Sequence, residues 1–165
     1  MSTTAPRMRQ VVDWSAALWA GLISGIVFLL LNAVLLPIVV GGNSWIPLRY
    51  LASIVLGARV LPPPATFDIT VLIVSVLVTL AISILYAVLL AIIIHRWGLL
   101  LGIVLGGLFG LAIYAINYYT LTLLFPWFFA MSSMTVAIIH VLFGAVAGGV
   151  YEALEVEEFV PVEAA

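Results

Sequence analysis

The chain has 165 residues, 66% of them apolar and only 7% charged, too few charges to cover a soluble globule of this size. Its five Arg, absent Lys and seven Asp plus Glu leave a net charge of -2, with no basic footprint for nucleic acid. The absence of Cys and Lys excludes disulfides, thiolate metal sites, Fe–S clusters, P-loop lysines and Schiff-base chemistry.

A bilayer core of about 30 Å needs roughly 20 apolar residues per helix. Four stretches reach that length without an Asp, Glu, Arg or Lys: 15–40, 69–94, 98–125 and 133–151. The sequence therefore predicts an all-α fold, an integral membrane four-helix bundle forming one domain over 1–151. The lipid bilayer is its first partner. Arg7 and Arg9 precede the first run, but that run exceeds a signal peptide's apolar region of roughly 7–15 residues, so it reads as a retained span. An even number of spans puts both termini on one side. That side carries Arg7, Arg9 and Arg96 against Arg49 and Arg59, which favours cytoplasmic termini in a bacterial inner membrane. Trp14, Trp97 and Tyr151 fall at the inner boundary, and Trp45, Tyr50 and Trp127 at the outer one.

Within the first outer loop, residues 45–57 are apolar but too short to span, with Arg49, Ser53 and Gly57 at four-residue spacing. They predict a short interfacial helix. Pro62, Pro63 and Pro64 form a stiff spacer, and Asp68 is placed to cap the second span. The tight turn at His95, Arg96 and Trp97 predicts that the second and third spans are antiparallel neighbours. Residues 152–165 read as a solvated acidic cytoplasmic tail, with Glu152, Glu155, Glu157, Glu158 and Glu163.

Small residues mark contact faces between helices in lipid, where close packing drives association. The first span carries Ala17, Gly21 and Gly25; the third a glycine zipper of Gly98, Gly102, Gly106 and Gly110; the fourth Gly144 and Gly148. In the second, the seam is Ser75, Thr79, Ser83, Ala87 and Ala91. The pattern G-x-x-x-G-x6-N occurs at Gly21, Gly25 and Asn32 and again at Gly106, Gly110 and Asn117. It reads either as a duplicated two-plus-two hairpin or as coincidence in an apolar sequence.

Asn32, Asn117 and His140 share faces with those glycines. At about 1.5 Å per residue, Asn32 and Asn117 lie roughly 12 Å below the outer ends of their spans, and His140 and Ser75 roughly 9–11 Å. Thr79, Tyr114 and Tyr118 are close enough in sequence to join this polar layer. One reading makes the layer interhelical glue. The other gives it a function, because His140 is the one ionisable side chain at that depth and imidazole titrates near pH 6.5 in water. One His with two amides is a poor ligand set for zinc or copper, so neither a metal nor another cofactor is expected.

The catalytic patterns of small membrane enzymes are missing. There is no pair of outer-half aspartates, no aspartate cluster, no Gly-x-Ser-x-Gly, no His-Glu-x-x-His and no phosphate loop. The expectation is a protein without enzymatic activity. Trp97-Gly98-Leu99-Leu100, the glycine-rich helix, Pro126-Trp127, His140 and Glu152 resemble the second half of the bacterial YagU-type inner-membrane proteins. That resemblance implies a small polytopic protein with no assigned chemistry and a link to acid tolerance; the Cys residues typical of those proteins are absent here. The leading functional expectation is an accessory or scaffold subunit, packing through its seams against other membrane subunits or further copies of itself. The alternative is a small oligomeric channel or transporter for protons or a small solute, using Asn32, Asn117 and His140.

Overall fold

The computed structural model describes residues 8–161; Arg7 of the charge comparison and Glu163 of the acidic tail lie outside the described residues. Strand β1 (Met8–Val11) leads into α1 (Trp14–Leu30), a π turn at Leu31–Leu35, and α2 (Leu36–Val40). Helix α3 (Trp45–Leu56) follows, then α4 (Ile69–Ile94) and α5 (Leu99–Tyr119). Two 3-10 turns, Leu121–Leu123 and Pro126–Met131, lead to α6 (Met134–Leu154) and strand β2 (Glu158–Pro161). Among the described residues four helical stretches are long and apolar enough to cross a membrane: Trp14–Val40, Ile69–Ile94, Leu99–Leu123 and Met134–Leu154. This is the architecture of a multi-pass membrane protein, in which each span satisfies its own backbone.

Side-chain caps fix where these helices begin. Asp13 accepts from Ala16 N at 3.0 Å, Asp68 from Thr70 N and Val71 N at 2.8 and 3.1 Å, and Ser133 from Val136 N at 3.3 Å. Pro37 explains the π turn. It has no N–H to give the preceding turn, so the ladder widens before it, and the Leu36 N–H reaches back to Leu31 O. Pro126 holds Phe125 out of the helical region at φ -126° and ψ 69°. With Thr120 already off the helix, the third span ends as 3-10 turns short of the expected residue 125.

Two expectations are corrected. The fold is not purely helical: β1 and β2 pair antiparallel, Arg9 opposite Val160 and Val11 opposite Glu158. Because α1 starts and α6 finishes at the same end of the bundle, the flanking segments emerge side by side in opposite directions and can close a ladder. The acidic tail is therefore partly structured. Second, α4 and α5 touch only slightly, despite the tight turn between them. Helix α5 lies along α6, and α4 lies along α1 and α3.

The glycine seams account for that choice. A Cβ at Gly106 would sit 2.2 Å from Gly144 O, and one at Gly110 2.0 Å from His140 O. From the other helix, Cβ atoms at Gly144 and Gly148 would sit 2.0 Å from Gly106 O and Gly102 O. Helices α5 and α6 thus touch backbone to backbone, a contact open only to glycine. On α1, a Cβ at Gly21 would meet the backbone of Ile84 on α4 at 2.5 Å, and one at Gly25 the Ser83 side chain at 2.9 Å. Gly98 does not join the zipper. It stands before α5 at φ 79°, where a Cβ would meet nothing within 4 Å, and it serves the turn. On α4, Ile82 and Tyr86 line the space left beside α5, and Tyr86 reaches across it to Phe109 and Asn117.

At the end holding both termini, Ala16, Ala17, Ala20, Leu90, Ile94, Ala147 and Tyr151 form a buried cluster. The Tyr151 hydroxyl donates to Glu155 Oε1 at 3.0 Å and lies 3.3 Å from the Asp13 N–H that donates to it. Asp13 Oδ2 accepts from Val156 N at 3.1 Å. These bonds clasp the first and last helices beside the ribbon. The bond from the Ala16 N–H is the main cause holding the Asp13 carboxyl below its ordinary value. Partial burial raises that of Glu155, against the lowering effect of its Tyr151 bond.

Candidate functional site

At the opposite end the separation of α4 from α5 leaves a cavity of about 150 Å³. Its walls come from all four spans, from α3 and from the turns after α5. Phe28, Phe143, Tyr118 and Phe128 supply aromatic surface, and Leu51 and Ile54 of α3 close it from the loop side. The polar layer lies in this wall: Asn32, Thr79, Asn117 and His140 all line the cavity. Ser75 does not. It is fully buried, with its hydroxyl donating to Leu72 O of its own helix at 2.9 Å.

These groups do not bond chiefly to one another. Asn32 Nδ2 donates to Phe28 O at 2.9 Å, and His140 Nδ1 lies 2.8 Å from Val136 O, both one turn back in the same helix. Asn32 lies within the π turn and is buried, two turns beyond Gly25 on the same face. A carbonyl can only accept, so His140 Nδ1 carries a hydrogen; in the neutral ring Nε2 is then a bare acceptor. The ring is held by edge contacts to Phe28, Tyr114 and Tyr118, with centroids 5.0, 5.6 and 5.8 Å away.

Across the split, contact is polar but slight. The Tyr86 hydroxyl donates to Asn117 Oδ1 at 3.5 Å, and Tyr86 meets Phe109 edge-on at 6.3 Å. Among the described residues the buried Thr79 hydroxyl has no partner, and its residue is only 4% exposed. An orphaned buried hydroxyl in a hydrocarbon setting carries a desolvation cost. Among the described residues no Asp, Glu, Arg or Lys lines the cavity wall. The chemistry on offer is therefore neutral: hydroxyls, two carboxamides, one imidazole acceptor and aromatic faces.

The outer elements are fastened over this space. Trp127 Nε1 donates to Ser53 Oγ at 2.8 Å, joining the turns after α5 to α3. Tyr50 and Phe128 stack edge-on at 5.7 Å. Arg49 reaches away from the cavity to Val60 O and Thr66 O at 2.7 and 3.2 Å, pinning the proline-containing loop.

Sequence reasoning placed a short helix over 45–57 but missed that it lines the cavity, and it missed Ser83 and Tyr86 as cavity residues. A signal was present, since Thr79, Ser83 and Tyr86 follow one another at helical spacing on a single face. Tyr50 and Ile54 do the same on α3. No protein-family model, curated protein or solved structure matches this chain.

Proposed function

We propose that this chain is a non-catalytic membrane protein of the transporter class that binds a small uncharged solute in the cavity at its polar layer. The observation that carries the reading is the convergence of Asn32, Thr79, Asn117 and His140, from four different spans, on one largely aromatic cavity. Interhelical glue would be bonded pair to pair, whereas Asn32 and His140 bond within their own helices, Thr79 has no partner among the described residues, and Asn117 makes one long bond across to Tyr86. A charged solute is disfavoured, because no opposite charge would compensate it in a low-dielectric wall.

The accessory or scaffold role takes second place, because the seams that motivated it are occupied inside the chain: Gly102, Gly106 and Gly110 by α6, Gly21 and Gly25 by α4. In each hairpin the glycines of the first helix face the second helix, which supports reading the chain as a two-plus-two repeat. The short helix α3 fits an interfacial position over the site. The setting we propose is a bacterial inner membrane with both termini cytoplasmic.

The test is binding in nanodiscs, read by 19F NMR with 4-fluorotoluene as the probe. Saturable binding beyond that of empty discs is expected, and Leu51→Trp, which fills the space from α3, should weaken it while the melting temperature holds. No saturable binding, or equal binding in Leu51→Trp, would defeat the proposal.

A further inference from the structure

The cavity's unused hydrogen-bonding groups narrow the solute further, an inference that rests on the binding reading above. Among the wall residues several polar groups are unclaimed by the protein, and two of them, both on buried residues, bear most on what a ligand must offer. One is the Thr79 hydroxyl, buried and without any partner. Among the described residues no hydrogen bond reaches the other, the His140 Nε2 lone pair, once Nδ1 is committed to Val136 O. The first can donate, and the second can only accept. A ligand that satisfies both must present an oxygen that receives a hydrogen bond and an O–H or N–H that gives one.

The remaining wall sets size and shape. A space of about 150 Å³ matches the volume in which a protein interior takes up one benzene-sized ring. Phe28, Tyr118, Phe128 and Phe143 offer edges and faces to such a ring. The wall holds no charged side chain, which excludes carboxylates, phosphates and ammonium groups as the recognised feature. Asn117, half-buried and tied to Tyr86 by a single long bond of 3.5 Å, keeps its amide N–H groups free as further donors. We infer that the site takes an uncharged hydroxylated ring compound, its hydroxyl donating to His140 Nε2 and an oxygen accepting from Thr79 Oγ1.

The experiment compares 4-fluorophenol with 4-fluorotoluene, two probes of nearly equal size that differ in one hydroxyl. Binding to the full chain in nanodiscs is read by 19F NMR and corrected for partition into empty discs. The phenol should bind about tenfold more tightly, the ratio expected for one net hydrogen bond to a buried group. Thr79→Val keeps the side-chain shape and removes the donor; His140→Phe keeps an aromatic ring among Phe28, Tyr114 and Tyr118 and removes the acceptor. Each should reduce the preference, read as the ratio of the two probes' affinities, severalfold. Should His140→Phe not fold, Thr79→Val decides alone. Equal binding of the two probes to the unaltered protein overturns the hydroxyl assignment and leaves the cavity reading standing. A preference that survives in the folded variants shows that other groups supply it and also overturns the assignment. If neither probe binds saturably, both readings fall.

Discussion

Adjacent glycines on α5 should respond to alanine with opposite signs. At Gly106 the added methyl would lie 2.2 Å from Gly144 O and 2.9 Å from Gly144 C, both backbone atoms of α6. Carbon and oxygen approach no closer than about 3.3 Å in ordinary contacts, so the two helices must part locally by roughly 1 Å. A gap of 0.5–1 Å forfeits about a quarter to a half of each dispersion contact along the seam. Overpacking of this kind costs about 1–3 kcal/mol, against about 1 kcal/mol that alanine contributes over glycine in a helix interior. At Gly107 the same methyl meets Val141 Cγ1 at 3.6 Å and Ala145 Cβ at 3.9 Å, which is normal packing. Gly107→Ala therefore keeps the helix gain of up to about 1 kcal/mol, without the clash. Thermal melting in mild detergent, followed by circular dichroism, should rank the proteins Gly107→Ala, unaltered chain, Gly106→Ala. Gly106→Ile should fall further still. If Gly106→Ala melts at or above the unaltered chain, α5 and α6 do not meet at this seam and the packing account fails.

Three further outcomes follow from the loop and terminal contacts. Trp127→Phe keeps the ring and deletes the donor to Ser53 Oγ, so it should lower stability by about 1 kcal/mol and speed proteolysis of the segment between α5 and α6. Asp13→Ala removes the cap on α1 and the acceptor for Val156 N, and should cost about 1–2 kcal/mol in a melt. That loss should shrink in strong acid, because Asp13 is depressed when folded: its contribution is present above the unfolded value of 3.8 and disappears as pH falls through the folded one. Glu155 is shifted the other way. Its folded carboxyl is raised above 4.5, so the folded state takes up the proton first, and stability falls as pH rises from 4.5 through the folded value. Glu155→Gln, which still accepts from Tyr151, should flatten that fall and melt higher than the unaltered chain at pH 7. A lower melting temperature for Glu155→Gln across the whole range would refute the assignment.

The spans were legible because lipid leaves a chain few options: long uncharged apolar runs can only be helices. Caps at Asp68 and Ser133 and the glycine faces at Gly106 and Gly144 follow from local rules and were readable for the same reason. Helix adjacency was not. A three-residue turn at His95 to Trp97 argues for closely packed neighbours, but the glycine face of α6 offers α5 a closer backbone contact than α4 does. The β1–β2 ribbon was invisible, since four-residue strands show little periodicity and their pairing spans almost the whole chain. At the site, depth along the helix brought Asn32, Thr79, Asn117 and His140 together correctly. Ser75 shares the depth but is buried outside the cavity wall, which depth alone does not distinguish. The contribution of α3 came from tertiary packing through Trp127 and Ser53, a contact between residues far apart in sequence.

Methyl NMR of isoleucine-labelled protein in nanodiscs tests the cavity most directly. Ile82 and Ile113 line it, whereas Ile38 is 75% exposed on the outside of the first span and reports lipid alone. On titration with 4-fluorophenol, the Ile82 and Ile113 methyl signals should shift to saturation while Ile38 moves only with the probe's partition into the discs. Shifts of Ile82 and Ile113 that merely track Ile38, without saturating, would contradict the account.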